Sequence, residues 1–390
     1  MCDTSQKILD KTAADIVTEL QQKFEKAKKN LPGRRPVADA AAGLLDGSLD
    51  VASEVKRMIG IEVDLSQVSK RKPVLLIASK FGTWASELTL VAGTLLKAGY
   101  LVKLASEDGS APHLLGPSMI PGTADGAWRF SVVSEEERDL ALRFLNPESA
   151  EHRIFYKENI LDLSRLARPP QVGDYLKKPA LLDEYKKTLR VSLDTAQDYA
   201  AVCVAGGSGA IPGLMFDRGL HNLLLAFHRL GKPIMGECNG GLSILQTLDP
   251  VSKHSILYGH TVTTHSSLDE YQSGWGWTLK FDADTDSFWE NGRFDIDAYC
   301  GAEQWCQPGT GGNPLIDSEG YFRDAAGPNG SYFSPPGSAY SVVLDEKFIT
   351  CRTTPDGYPG VLALIALLDG TSKPKSPLFI DSDAPARRHP

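Results

Sequence analysis

Lys232-Pro233-Ile234-Met235-Gly236-Glu237-Cys238-Asn239-Gly240-Gly241 reads as a short apolar strand that runs straight into a glycine-rich turn. Leu242–Leu248 then begins a helix, so strand passes to helix across one sharp turn. Such a turn presents a single side chain at the carboxyl edge of a sheet, the edge at which open α/β sheets bind ligands. The flanking glycines suit it, because larger side chains there would collide with neighbouring backbone. Cys238 occupies the apex. A thiol at the mouth of a helix feels the positive end of the helix dipole, which favours thiolate, so Cys238 is chemically suited to be a nucleophile.

Working outward from the turn, Tyr199-Ala200-Ala201-Val202-Cys203-Val204-Ala205 is a further buried strand, with Cys203 an inert structural thiol. It runs into Gly206-Gly207-Ser208-Gly209-Ala210, and Phe216–Leu230 follows as a helix closed by Gly231. Upstream, Pro73–Ala78 is a short apolar run, Thr83–Ala98 a helix ending at Gly99, and Tyr100–Ala105 a second strand stopped at Ser106-Glu107-Asp108-Gly109. Strand, helix and strand within about 33 residues is a βαβ unit, which requires a parallel sheet with helices over its faces. Tyr340–Thr350 and Gly360–Leu368 read as the last strand and helix. The fold class expected is therefore α/β with a mostly parallel sheet.

Outside that frame, residues 1–30 carry Ile8, Ile16, Val17, Leu20 and Phe24 at helical spacing, and Leu31–Pro36 breaks the pattern. Val37–Gly60 is a second helical stretch. Residues 1–70 form a helical extension that either packs on the core or serves assembly; 71–372 form the α/β domain, and 373–390 a tail. Residues 111–195 read as mostly helical. Residues 282–338, rich in Gly, Pro, Asp and aromatics, read as a long insertion.

With 390 residues, 49 acidic against 41 basic side chains and a formal charge of −8, the chain has no overall basic field to draw in nucleic acid or anionic membrane. No window approaches 18 uninterrupted apolar residues, and the charged N-terminal stretch lacks the apolar segment of a signal peptide. Six cysteines are too few for a disulfide scaffold in a chain this long, so a reducing cytoplasm is the expected location. Cys300 and Cys306 have no partner pair at zinc-ligand spacing, and no metal or cofactor is expected. A small-molecule substrate is the expected partner.

Several residues are placed to assist Cys238. The free N–H groups of the 206–210 loop, at Gly207 and Ser208, could meet an oxyanion together with those of Asn239 and Gly240. The same loop could instead be a phosphate loop or a plain turn. Glu87 lies in the first turns of the helix after the first strand, on the same sheet edge. In a partly dry pocket its carboxyl would hold a proton, bond the thiolate or shuttle that proton. Otherwise it is a solvated helix residue. His265, with Asp269 and Glu270 beside it, is the nearest histidine after the turn and a candidate base; His260 and His254 are alternatives. Trp275, Trp277, Trp289 and Trp305 would lid a pocket or fill the insertion's own core.

In these segments the chain resembles the DJ-1/PfpI branch of the class I glutamine amidotransferase-like proteins. The matching stretches are Val74–Ala78, Gly82–Glu87 with Ala98–Tyr100, Ala105–Gly109, Ala205–Ala210, Gly236–Gly241, His260–Thr264 and Phe348–Thr350 with a closing helix. The resemblance frames about 72–370, without the insertion. It implies a flavodoxin-like three-layer sandwich, usually a homodimer, with Cys238 as reactive cysteine, Glu87 as its carboxyl partner, and Gly207 and Asn239 as oxyanion donors. The long 111–195 segment is similar to that of the larger Hsp31 and glyoxalase III-like members. These are cofactor-independent lyases of 2-oxoaldehydes or stress chaperones. Those lyases have histidine after the cysteine, where this chain has Asn239. Cys-Asn-Gly is similar instead to some glutamine amidotransferases, yet no histidine here stands two residues before a glutamate. Either His265 completes the site or Cys238 and Glu87 act alone, as in isonitrile hydratases. A non-catalytic chaperone, or a redox sensor in which Cys238 oxidises to the sulfinic acid, is the other reading.

Overall fold

A computed structural model describes residues 35–123, 131–166, 179–215, 217–249, 254–263, 331–332 and 342–380. Among these, eight strands form one sheet in the order β10-β8-β9-β5-β4-β1-β2-β3. The strands are β1 (Val74–Ile77), β2 (Val102–Ser106), β3 (Ile160–Asp162), β4 (Ala201–Val204), β5 (Ile234–Glu237), β8 (Val342–Asp345), β9 (Phe348–Cys351) and β10 (Leu378–Ile380). From β3 across to β9 every pairing is parallel, and β8 adds antiparallel to β9 and β10 to β8. The chain winds outward from β1 to β3 and returns to place β4 on the other side of β1. That reversal opens a crevice at the carboxyl ends of β1 and β4, where α/β sheets take ligands.

The alternation of side chains along each strand explains why these runs are apolar throughout. Leu76, Cys203, Met235 and Ile349 face one helical layer, while Leu75, Val202, Ile234 and Phe348 face the other. Both faces are covered, so a polar residue on either one has no water to meet. The first layer contains α1 (Arg35–Asp46), α2 (Val51–Ile59), α3 (Ala85–Lys97), α4 (Glu135–Leu145) and, near the end of the chain, Gly357–Asp369. The second contains α5 (Pro179–Gln197), α6 (Ala210–Gly213), α7 (Arg218–Arg229) and α8 (Gly240–Leu245). Gly357–Asp369, α9 below, packs on both α2 and α3. The described part of the N-terminal extension is thus built into the core rather than standing off it.

Four details differ from the sequence reading. The stretch from 37 to 60 is two helices, because Gly47 takes a φ of 80° and Asp50 restarts the chain by capping Ser53. The last strand is a hairpin, β8–β9, turned at Glu346-Lys347. The 111–195 segment contains an edge strand, β3, too short for its periodicity to be seen. The tail also supplies β10. Two further strands of two residues, β6 (Thr261–Val262) and β7 (Ser331–Tyr332), form a separate parallel pair, with Thr261 N donating to Asp345 Oδ2 on β8.

Helix α4 begins with a reciprocal cap: Ser134 Oγ accepts from Glu137 N at 3.1 Å while Ser134 N donates to Glu137 Oε2 at 2.8 Å. Ser134→Ala is expected to lower unfolding free energy by about 1 kcal/mol. Urea unfolding should show this as a lower midpoint at unchanged slope.

Candidate active site

Cys238 adopts a φ of 51°, the left-handed region that a side chain with Cβ rarely enters. Such a conformation costs on the order of 1–3 kcal/mol and persists only where surrounding structure enforces it. Here Cys238 N donates to Cys351 O at 3.0 Å, tying the apex to the end of β9, and Gly241 N donates to Cys238 O at 3.1 Å, closing the turn into α8. The residue is 6% exposed. A thiol is therefore held at the carboxyl edge of the central strands with a small opening to the outside.

Glu87, third residue of α3, is 1% exposed and reaches across the crevice. Its Oε2 accepts from Gly206 N at 2.6 Å, and its Oε1 accepts from Thr354 Oγ1 at 3.0 Å. Gly206 is the joint of the arrangement. A Cβ placed on it would sit 2.7 Å from Glu87 Oε2, 2.7 Å from Glu237 O and 2.8 Å from Asn239 N. The carboxyl, the glycine loop and the backbone of the cysteine turn thus meet at one point, although they are far apart in sequence.

Gly207, with φ of 90°, fits beneath Trp84 N, 2.5 Å from where its Cβ would be. Ser208 is buried and its Oγ has no hydrogen-bond partner among the described residues. Asn239 is buried at the start of α8, and Gly240 packs on the end of β4, its missing Cβ only 2.3 Å from Val204 O. Cys238, Glu87, Gly207, Ser208, Asn239 and Gly240 therefore fall in one region. Cys203 lies buried in mid-strand, where burial and Glu237 push its thiol upward, as expected of an inert cysteine.

The histidines divide. His265, Asp269 and Glu270 lie outside the described residues, as do the insertion's tryptophans and Cys300 and Cys306. His260 is not at the site: its Nδ1 is 3.7 Å from Asp345 Oδ2 and its ring packs edge-on to Phe348, at the amino end of β9. That is three residues, or about 10 Å, from the Cys351 end that holds Cys238. His254 stacks on Tyr258 at 4.0 Å.

The sequence reading missed four residues beneath the turn: Glu237, Arg352, Thr354 and Asp356, all buried. Glu237 is the most telling. Burial, then the charges of Glu87, Asp356 and Glu137, push its carboxyl well above the ordinary carboxylate range, opposed by the Gly357 backbone N–H. One signal was present in the sequence: a glutamate ending an otherwise apolar strand, in register with Met235 and so pointing into a covered layer. Glu107, at the end of β2 on the same sheet edge, is raised by burial against its bonds from Ser79 Oγ and Lys80 N.

Among the described residues no cluster of His, Cys, Asp and Glu is arranged to hold a metal ion, and no helix is long and apolar enough to cross a membrane. A cavity of about 450 Å³ opens in the helical layer, lined among others by Asp50, Glu54, Arg57 and Tyr358, away from Cys238.

No protein-family model matches the chain, and no curated protein matches it. Solved structures do. Rapid Encystment Protein 24 kDa of Francisella tularensis is 15% identical over 76% of this chain and 99% of its own, with a TM-score of 0.48. Glyoxalase III of Candida albicans is 15% identical over 76% and 98%, with a TM-score of 0.47. DJ-1beta of Drosophila melanogaster is 14% identical over 77% and 91%, with a TM-score of 0.35. The chain is similar, at low identity, to solved structures of the group whose motifs its sequence resembles.

Proposed function

We propose that the chain is a cofactor-independent enzyme in which Cys238 attacks a small electrophilic carbon, with hydration and rearrangement of a 2-oxoaldehyde as the reaction. The observation that carries this reading is Cys238 held at φ 51° with the buried Glu87 joined to its turn through Gly206. A strained apex beside a carboxyl is costly to maintain and suits a positioned nucleophile with a proton acceptor.

In this reading Glu87 takes the Cys238 proton as Sγ adds to the aldehyde carbon, giving a hemithioacetal. The N–H groups of Asn239 and Gly207 are the proposed donors to the oxygen that becomes negative. The hydrogen on the former aldehyde carbon then leaves as a proton and returns to the neighbouring carbon by way of an enediol. One carbon is oxidised by two electrons while its neighbour is reduced by two, so no external redox partner is needed. Water cleaves the resulting thioester to the 2-hydroxy acid and restores the thiol. His265 is the proposed second proton carrier, and a cytoplasmic homodimer is part of the same proposal.

Asn239 supports a second reading, isonitrile hydration or amide hydrolysis on the same thiolate. A residue that cannot carry a proton replaces the histidine of the lyases, leaving Cys238 and Glu87 as the working pair. The two readings part on substrate. Methylglyoxal should yield lactate by proton NMR without added metal or thiol. An enzyme that leaves methylglyoxal untouched but consumes a small isonitrile or amide selects the second. In either case limiting iodoacetamide at pH 6 and 8 should label Cys238 ahead of Cys2, by peptide mapping. Equal labelling would refute the nucleophile assignment.

A further inference from the structure

Behind the cysteine lies a second carboxyl that the reaction above does not use. Glu237 is the last residue of β5 and shares the face of Met235, so its side chain enters the layer of α3 and α9 directly under Cys238. It is 1% exposed. Neither carboxyl oxygen has a regular hydrogen-bond partner, and both press on Gly357, where an added Cβ would stand 2.4 Å from each. Glu87 enters the same layer from α3 but is treated differently, with one donor on each oxygen, from Gly206 and Thr354. The segment 354–357 touches both acids: its first residue bonds Glu87 and its last backs Glu237.

We propose that Glu237 is a positioning residue that holds a proton beside Glu87, so that the two carboxyls carry one negative charge between them and Glu87 is the charged member. This deepens the reading of Cys238 as nucleophile, and its catalytic consequence rests on that reading. With the proton parked on Glu237, Glu87 is free to accept the proton of Cys238.

Two like charges in a dry site cannot both persist, and the pair titrates as a unit. The member with two good donors keeps the charge, because hydrogen bonds to a carboxylate favour the ionised form. The groups acting on Glu237 from the surrounding elements are all acids: Glu87 on α3, Glu137 on α4 and Asp356 before α9. The thiols of Cys203 on β4 and Cys351 on β9 also feel it, and both are pushed upward by burial and by Glu237. Arg352, one residue past β9, is also completely buried. The Gly357 backbone N–H opposes the proton on Glu237.

Such an acid costs stability, and the sign is definite. The folded protein binds a proton that the unfolded chain releases above the ordinary glutamate range, so stability falls as pH rises from there towards the folded value. A residue that weakens the fold at neutral pH, beside a strained cysteine, is kept for what its proton does.

Glu237→Gln copies the protonated acid in shape and charge. In urea unfolding of the full chain between pH 5 and 8.5, E237Q should gain on wild type as pH rises, approaching tenfold in the folding constant per pH unit. The gain should shrink when the comparison is made in an E87Q background, because the neighbouring charge that holds the proton is then gone. Should E87Q fail to fold, the infrared spectrum of wild type at pH 7 should show a protonated-carboxyl band that E237Q lacks. At pH 7 iodoacetamide should label Cys238 in E237Q within about twofold of wild type and much more slowly in E87Q. The proposal is overturned if E237Q is less stable than wild type throughout, as it would be were Glu237 ionised and paired with Arg352. It is equally overturned if the difference is flat with pH, or if the carboxyl band is absent. A Cys238 that resists alkylation in every variant would sink the nucleophile reading and leave the stability comparison to judge Glu237 alone.

Discussion

Cys238→Ser should remove turnover of whatever small electrophile the enzyme consumes, by at least about three orders of magnitude, while leaving the protein folded. A serine hydroxyl is almost wholly protonated at neutral pH. Glu87, a lone carboxylate, can accept the proton of a thiol but is far too weak a base to ionise an alcohol, so little nucleophilicity survives. The fold has no comparable stake in the sulfur. Serine has the same Cβ and meets the same strain at φ 51°, and the backbone bonds to Cys351 and Gly241 do not involve the side chain. The stability change should stay near 1 kcal/mol. A chaperone working through apolar surface would behave oppositely and keep its holding activity in C238S. Retained turnover in the variant would place the chemistry elsewhere.

The strand-to-helix turn at 236–241 was legible because it violates an expectation: glycine and cysteine crowd where an apolar strand should pass into a loop. The three central strands were legible for a different reason. A parallel strand covered on both faces is apolar at every position, and Leu75–Ile77 or Val202–Val204 has no other plausible home. The edge strands β3 and β10, three residues each, carry too little pattern to be told from loop. The β8–β9 turn was hidden because Asp345-Glu346-Lys347 interrupts the apolar run without the glycine or proline that marks most turns, and Glu346 instead takes a φ of 55° itself.

Within the site, what sequence could supply was the identity of groups at strand ends; what it could not supply was which of them meet. Glu87 and Gly206 are separated by 119 positions, and Thr354 by 267 from Glu87, so their bonds depend on strand order alone. Glu237 neighbours Cys238 in sequence and reads as part of the turn, although strand alternation sends it to the opposite side of the backbone. The acids under the turn follow from the same geometry: α3, α4 and the start of α9 converge on one layer, and each brings a carboxyl into it.

Gly206→Ala tests that convergence most severely. Three atoms stand within 2.8 Å of the new methyl, and two of them, Glu237 O and Asn239 N, belong to the backbone of the cysteine turn and cannot swing aside. The third, Glu87 Oε2, can move only by giving up its bond from Gly206 N. The chain must therefore shift the loop, the turn or the carboxyl, at an overpacking cost of about 1–3 kcal/mol. Displacing a reacting group by roughly 1 Å costs on the order of 10²-fold in rate, so alkylation of Cys238 and any turnover should fall by at least that much. Gly231→Ala supplies the contrast. Gly231 has φ of 66° but no atom within 4 Å of its missing Cβ, so that variant should lose about 1–2 kcal/mol from backbone strain and keep the reactivity of Cys238. If G206A folds and alkylates at the wild-type rate, the carboxyl and the cysteine are not held through this joint. If G231A loses reactivity as well, the effect of G206A is general destabilisation rather than misplacement of Cys238 and Glu87.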